Sequence, residues 1–86
     1  MSVFAATQAF GSELRVHLIH YFAVNPGARQ IDAVNVIGAD RATVSFNVRA
    51  LIETGVLIQV DSRTYRVDQD RFRELIKALE NFGAPL

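Results

Sequence analysis

Four arginines lie between residues 41 and 66, a stretch in which the acidic residues are Glu53 and Asp61. A guanidinium group presents its N–H donors in a planar fork that matches a phosphate, a carboxylate or the O6 and N7 atoms of guanine. The whole chain is electrically neutral, with nine basic and nine acidic residues. Recognition of an anionic partner would therefore depend on a local excess of positive charge. The four residues are Arg41, Arg49, Arg63 and Arg66.

Few other side chains are spaced for chemistry. His17 and His20 lie three residues apart on a predicted helix, a spacing that can hold a metal ion with a third ligand such as Glu13. No ligand cluster accompanies the pair, so we interpret both as surface or interface histidines and predict no metal site. The sequence contains no cysteine, no glycine-rich phosphate loop and no serine in a nucleophile-elbow context. We therefore predict that the protein is not an enzyme and needs no cofactor.

The composition is that of one small folded domain. The chain has 86 residues, half of them apolar, which suits a single core spanning residues 1–86. Small cores are marginally stable and disulfides are ruled out, so oligomerisation is the expected source of further stability. The apolar runs are shorter than a membrane span, and the N-terminus lacks the positive region of a signal peptide. These features predict a cytoplasmic protein without membrane contact.

Capping and turn residues divide the sequence into helices and one hairpin. Ser12 is a good N-cap for a helix that runs to the Asn-Pro-Gly turn at 25–27; the apolar segment before it is a separate helix or a bent part of the same one. This helix is apolar on two sides, with Leu18 on one and Val16 on the other, which predicts a central, buried position. A short helix follows and ends at Gly38.

The segment from Asp40 to Thr54 has signals at both ends. Asp40 can accept hydrogen bonds from the first-turn amides, and Gly55 can end the helix. Helical spacing groups one set of apolar residues into a core face and directs a second set away from the core. The core face holds Val44, Val48 and Leu51 with Ile52 on its flank, and the outward face holds Ala42, Phe46, Arg49 and Glu53.

Two β-rich runs and a final helix complete the pattern. VLIQV and TYRV are separated by the turn residues 61–63, which predicts a hairpin over residues 56–67. Asp68 can cap a last helix over residues 68–82, whose apolar stripe is Phe72, Leu75, Ile76, Leu79 and Phe82. The fold class is therefore mostly α with a short β-hairpin. Two helices joined by a tight glycine turn and followed by a hairpin predict a winged helix-turn-helix.

The sequence also resembles a known family over residues 10–67. FGSELRVHLIHYF resembles the start of the second helix of ArsR/SmtB winged-helix repressors, GADRATVSFNVRALIETGVL resembles their turn and recognition helix, and TYRV is similar to their returning wing strand. The most specific features are Gly38, Thr43-Val44-Ser45, Leu51 and Gly55. The resemblance implies a recognition helix at about 40–54, a wing at about 56–67 and a dimerisation helix at about 68–82.

Two departures from the family pattern limit what the resemblance implies. The wing is about three residues shorter than is common, which limits its reach into an adjacent groove. The chain also lacks cysteine and has no histidine after His20, whereas the metal-sensing members use cysteines before the turn, or Asp and His ligands on the last helix. The resemblance thus implies the DNA-binding scaffold without metal sensing.

These observations predict a transcriptional regulator that represses by binding a near-palindromic operator in double-stranded DNA as a homodimer. Phe46 would pack on a thymine methyl group or against a protein; an exposed ring or a shifted helix register are further alternatives. The rival interpretation is a protein interaction module, for example a phage or regulatory accessory protein. The predicted DNA-binding residues are Arg41, Ala42, Thr43, Ser45, Phe46, Asn47, Arg49, Ser62, Arg63 and Arg66. The predicted dimer interface is Phe4, Phe10, Phe72, Leu75, Ile76, Leu79 and Phe82.

Overall fold

The computed structural model describes residues 2–83, which form five helices and three short strands. The predicted fold class, mostly α with a short β-hairpin, is confirmed. In chain order the elements are α1 Ser2–Ala9, α2 Glu13–Val24, β1 Ala28–Arg29, α3 Gln30–Ile37, α4 Arg41–Thr54, β2 Leu57–Gln59, β3 Thr64–Val67 and α5 Gln69–Gly83.

The strands form one antiparallel sheet in the order β1-β3-β2. The predicted hairpin is β2 and β3, in which Ile58 lies opposite Arg66. The sequence analysis missed β1, whose Ala28 lies opposite Tyr65 on the other side of β3. The backbone N–H of Gly27 also donates to the Tyr65 carbonyl oxygen at 2.8 Å. The sheet therefore ties the start of α3 to the hairpin, although the two are far apart in sequence.

The predicted caps bound the helices. The hydroxyl of Ser12 accepts a hydrogen bond from the Arg15 N–H at 3.2 Å, which separates α2 from α1. Gly38 and Gly55 end α3 and α4 with φ angles of 81° and 85°, in the left-handed region that favours glycine. The helix predicted from Asp40 to Thr54 is thus present, and a tight glycine turn joins it to α3.

The core lies where α4, α2 and the sheet meet. The predicted core face of α4 is buried at Val44, Val48 and Leu51, and Ile52 is half-buried on its flank. Phe22 of α2 is fully buried and packs edge-on against Tyr65 of β3, with 5.7 Å between ring centroids. One face of α4 is therefore fixed against the body of the chain.

The prediction that α2 is buried on both apolar sides is only partly correct. Leu18 and Ile19 are buried, but Val16 is 45% exposed and Ala23 is exposed. Within residues 2–83 this second side borders an apolar groove of about 340 Å³ between α2 and α5, with Phe72 on its far wall. Apolar spacing showed that two sides could be buried, but not that the chain by itself leaves Val16 and Ala23 of the second side exposed.

The apolar stripe of α5 divides between core and surface. Leu75 has no exposed surface, so its placement in the dimer interface is corrected: it is a core residue of its own chain. Phe72 is half-buried and packs edge-on against Phe10 at 5.8 Å between ring centroids. Ile76 and Leu79 are half-buried, whereas Phe82 is 74% exposed. The stripe becomes more exposed toward the end of the helix.

The start of α5 is tied to the end of α4. The Arg71 Nε donates to the Thr54 carbonyl oxygen at 2.8 Å, and the Arg71 N–H donates to Asp68 Oδ1 at 3.1 Å. A Cβ atom placed on Gly55 would lie 3.1 Å from the Arg71 Nε, whereas one on Gly38 would meet no atom within 4 Å. Gly55 thus leaves room for the Arg71 side chain.

This difference predicts unequal costs for two glycine substitutions. Gly38→Ala should lower the free energy of unfolding by about 1–2 kcal/mol, the cost of a left-handed non-glycine residue. Gly55→Ala should lower the free energy of unfolding by roughly 1 kcal/mol more than Gly38→Ala does, because the new methyl group displaces Arg71 from the Thr54 carbonyl. Urea denaturation of both variants and the wild type measures the difference. Equal losses would contradict the role of Arg71.

Candidate nucleic-acid interface

The N-terminus of α4 is held by the side chain of Asp40. Its carboxylate accepts hydrogen bonds from the N–H groups of Ala42 and Thr43, both at 3.1 Å, and from the Thr43 hydroxyl. The hydrogen bond from the Thr43 hydroxyl, followed by those from the Ala42 and Thr43 amides, lowers the pKa of Asp40 below its ordinary value. The charged carboxylate therefore fixes the point at which α4 begins.

The outward face of α4 is exposed. Ala42, Arg49 and Glu53 are exposed, and Phe46 is 68% exposed, while Ser45 is half-buried on the flank. Small side chains at Ala42 and Ser45 leave space around the first turns, whereas Phe46 projects a whole ring. The face combines one arginine with one aromatic ring, which is suited to contact with a phosphate or base edge and with an apolar group.

Asn47 differs from the other predicted DNA-binding residues of α4. Its Oδ1 accepts a hydrogen bond from the Arg15 Nε at 2.8 Å, and its Nδ2 donates to the Thr43 carbonyl oxygen at 2.8 Å. Arg15 also donates to the Gln8 carbonyl oxygen at 2.7 Å. Asn47 therefore positions α4 against α2 in this structure, and its amide is engaged within the chain. Sequence analysis missed Arg15, because no local pattern links residues 32 positions apart.

The tip of the hairpin is held by Asp61. Its Oδ1 accepts hydrogen bonds from the N–H groups of Arg63 at 2.9 Å and Thr64 at 3.1 Å. The Arg63 amide is the largest cause of a lowered pKa at Asp61. The acidic group thus stabilises the turn, and Ser62 and Arg63 are both exposed at its tip.

Two of the predicted arginines meet in a cleft between the hairpin and the helix-turn-helix. Arg41 from the first turn of α4 and Arg63 from the hairpin tip line a cavity of about 520 Å³. Arg29, at the junction of β1 and α3, lines the same cavity, and the sequence analysis did not select it. We refer to this cavity as the arginine cleft. Its other lining residues are Gln30, Ile31, Val34, Ser62 and Tyr65.

The other two arginines lie elsewhere. Arg49 is two turns beyond Arg41 on the outward face of α4. Arg66 alternates with Tyr65 along β3, so its side chain is on the opposite face of the sheet from the tyrosine that lines the cleft. The four arginines therefore lie in three places. Arg41 and Arg63 are in the cleft, Arg49 is on α4, and Arg66 is on the outer face of the hairpin.

The four predicted arginines form no ion pairs with other residues in the range 2–83. Within residues 2–83, the ion pairs are Arg71 with Glu74, Arg73 with Asp70 and a longer pair of Arg29 with Asp32 at 3.8 Å. The first two are on α5, away from the cleft. The guanidinium groups of the four predicted arginines take part in none of these pairs, which leaves their donors open to a partner.

The part of the chain that the structure describes contains no group of three or more His, Cys, Asp or Glu residues able to hold a metal ion. His17 and His20 are exposed and border a shallow depression between α2 and α3 with Val24 and Val36. Among the described helices, none is long and apolar enough to cross a membrane.

The Asp40 cap predicts a pH-dependent contribution to stability. Asp40→Asn keeps a good N-cap but removes the charge. Because the folded-state pKa of Asp40 lies below its ordinary value of 3.8, the charge stabilises the fold above that value, and the effect is lost as pH falls through the lowered pKa.

The wild type should therefore unfold at a higher urea concentration than Asp40→Asn at pH 7, and the gap should close at an acidic pH below the lowered pKa of Asp40. The other acids titrate alike in both proteins, so the gap isolates Asp40. A gap that stays the same at both pH values would contradict the electrostatic part of the cap.

Comparison with known proteins identifies the fold. No protein-family model matches the chain, and no curated protein matches it. Among solved structures, it is similar to the homodimeric winged helix-turn-helix DNA-binding domain of a possible ArsR-family transcriptional regulator from Mycobacterium bovis, determined by NMR. The TM-score is 0.70 and the sequence identity 19%, over 98% of this chain and 82% of the other. The predicted winged helix-turn-helix is therefore confirmed as the fold of this chain.

Proposed function

We propose that the protein is a transcriptional regulator that binds double-stranded DNA through α4 and the hairpin. The observation that carries the proposal is the outward face of α4: Arg49 is exposed and unpaired within residues 2–83, on a helix whose opposite face is buried. The solved winged helix-turn-helix that the chain resembles is a DNA-binding domain. In this proposal residues 1–86 form one domain, with α4 as recognition helix, the hairpin as wing and α5 as dimerisation helix.

The contacts follow from the positions of the side chains. Ala42, Thr43 and Ser45 are small enough to let the first turns of α4 approach the floor of a major groove. Arg49 would bind a phosphate or the O6 and N7 atoms of a guanine, and Phe46 would pack on a thymine methyl group. Ser62 and Arg63 at the wing tip, Arg41 at the start of α4 and Arg66 on the wing would bind backbone phosphates.

A homodimer is the second part of the proposal. The solved relative is homodimeric, and this chain exposes Phe4 by 71% on α1 and Phe82 by 74% on α5. The half-buried residues Phe10, Phe72, Ile76 and Leu79 complete the proposed interface. A two-fold dimer places its recognition helices about 10 base pairs apart or at a multiple of that spacing, so the operator would be near-palindromic.

Repression is the proposed mode of regulation. A dimer seated across a promoter excludes other proteins from the occupied base pairs, which requires no contact beyond those to DNA. We also propose that the response does not involve metal sensing, in keeping with the absence of cysteine from the sequence.

Phe46 supports a second candidate function, a protein interaction module. Its ring is 68% exposed on a helix whose other large apolar residues are buried or half-buried. Large exposed rings are typical of protein contact sites, where aromatic residues supply much of the binding energy. In this case the outward face of α4 would bind a protein, and no specific DNA site would exist.

Selection of bound duplexes from a random pool tests the two functions. The DNA-binding function predicts enrichment of an inverted repeat. The affinity of the protein for this DNA should fall as salt rises. The logarithm of the binding constant should change with the logarithm of the salt concentration at a slope of roughly −5 to −7, because each subunit of the dimer would neutralise about three or four phosphates. Arg49→Ala should weaken binding by roughly 1–3 kcal/mol without changing the dimer.

Phe46→Ala is the complementary variant. If this variant loses a protein partner but keeps its DNA affinity, the interaction module is favoured. If it distinguishes thymine from other bases less well at one position of the site, the contact of Phe46 with a thymine methyl group is supported. A pool that yields no enriched sequence, or an affinity that does not respond to salt, would overturn DNA binding.

Phe82→Glu tests the dimer. A buried charge at an apolar interface is strongly unfavourable, so the variant should be monomeric by light scattering while keeping the wild-type circular dichroism spectrum. Lys77→Glu is the matched control, because Lys77 is exposed on α5 opposite the apolar stripe and should leave the dimer intact. A wild-type protein that is monomeric at micromolar concentration, or a Phe82→Glu variant that still dimerises, would contradict this interface.

A further inference from the structure

We propose that the arginine cleft binds a short length of DNA sugar–phosphate backbone and that Arg29 supplies one of its phosphate contacts. This inference rests on the DNA-binding function proposed above and assigns a role to a residue outside the arginine-rich stretch 41–66. The site lies between the wing tip and the helix-turn-helix, next to the N-terminus of the proposed recognition helix.

Three separate elements bring their arginines to this cleft. Arg29 lies where β1 meets α3, Arg41 is in the first turn of α4, and Arg63 is at the hairpin tip. The sheet fixes their arrangement, because Arg29 lies opposite Thr64, the residue next to Arg63. Backbone pairing between β1 and β3 therefore holds Arg29 beside the residue that directly follows Arg63.

The chemistry of the cleft favours phosphate. Among the described residues, those that line it include no acid. Ser62 and Gln30 add uncharged hydrogen-bonding groups, while Ile31 and Val34 supply an apolar wall. A guanidinium group matches the oxygens of a phosphate, and the apolar wall suits the sugar carbons that separate two phosphates.

Size and position favour a length of backbone over a free anion. A cavity of about 520 Å³ falls within the range of roughly 300–1,000 Å³ that binds small organic molecules, more than one phosphate group needs. Arg41 belongs both to the cleft and to the first turn of α4. Helix N-termini are among the groups that bind backbone phosphates and so position a protein on the duplex, and the cleft adjoins the N-terminus of α4.

The nearby acids do not neutralise the site. Asp32 accepts the Arg29 N–H at 3.2 Å, and its carboxylate is 3.8 Å from the Arg29 Nε. This pair is largely exposed, with 53% of the Arg29 side chain accessible, so it holds the guanidinium only weakly. Asp40 and Asp61 are engaged by backbone amides. Arg29 can thus turn toward a phosphate.

Arg29→Ala is the direct test, with Arg73→Ala as the matched control. Arg73 is an equally charged residue on α5, paired with Asp70 and 68% exposed. Affinity is measured by fluorescence anisotropy across a salt series, on a selected operator duplex and on an unrelated duplex.

Arg29→Ala should bind both duplexes about tenfold or more weakly, because a charge-assisted hydrogen bond is lost without any base contact. The magnitude of its salt slope should fall by about one for each phosphate contact removed, hence by about two for a dimer. Arg73→Ala should leave affinity and slope close to those of the wild type.

Arg29→Lys separates charge from geometry. Lysine keeps the positive charge but not the planar fork, so the salt slope should return to the wild-type value while affinity recovers only in part. If Arg29→Ala is poorly folded by circular dichroism, two other variants test the same cleft. Arg29→Lys keeps a long, positively charged side chain at the start of α3, and Arg63→Ala lies outside α3.

The outcomes separate the inference from the function beneath it. Wild-type DNA binding with equal behaviour of Arg29→Ala and Arg73→Ala would overturn the cleft and leave the function standing. A loss restricted to the operator duplex would also overturn it, because backbone contacts do not distinguish sequences. A wild-type protein that binds no duplex would remove the proposed function, and the cleft with it.

Discussion

The burial of one face of α4 is the constraint on which the rest of the structure depends. Its three core residues are at most 2% exposed: Val44, Val48 and Leu51. Replacing any one of them by alanine would lower the free energy of unfolding by about 1–5 kcal/mol. Because a helix is rigid at this length, fixing three residues of one face fixes the direction of the opposite face as well. The exposure of Phe46 and Arg49 is therefore a consequence of core packing, and no separate interaction is needed to present them.

The chain is neutral overall but has a basic surface, because three of its aspartates are hydrogen-bonded to backbone amides. Asp32, Asp40 and Asp61 each accept backbone N–H groups, at the start of α3, at the start of α4 and at the hairpin tip. For Asp40 and Asp61 these hydrogen bonds lower the pKa, so the carboxylates are charged yet directed at the backbone. The acids order the three elements that carry Arg29, Arg41 and Arg63 while leaving most of each guanidinium free. Counting charges over the whole sequence hides this arrangement.

Local signals in the sequence predicted most of the fold. The caps at Ser12 and Asp40, the glycine ends at Gly38 and Gly55 and the 3.6-residue spacing of α4 act within a few residues, so they can be read without the structure. Features that depend on distant residues could not be predicted. The two-residue strand β1 exists because β3 pairs with it, and Asn47 is engaged because Arg15 of another helix reaches it.

The same limit explains the errors at the surface and in the site. Helical spacing placed Leu75 and Phe82 on one stripe, but the first is buried and the second is exposed. This difference depends on how α5 packs against α1 and the rest of the core, which spacing does not show. Arg29 carries no sequence signal for binding, since it lies beside a turn and far from the other arginines. Its place in the cleft follows from strand pairing, which spacing along a chain does not encode.

The position of α1 restricts how α4 could meet a groove. Phe4, Ala5 and Gln8 of α1 border a depression whose other side is formed by Ala50, Glu53 and Thr54, so the second half of α4 is flanked by another helix. Glu53 also places a negative charge there, which opposes contact with phosphate. The unobstructed part runs from Arg41 to Arg49 and is about 13 Å long at 1.5 Å per residue, close to the roughly 12 Å width of a major groove. For the DNA-binding function proposed above, α4 would therefore enter with its N-terminal half, which brings the Asp40 end and the adjoining arginine cleft to the edge of the groove.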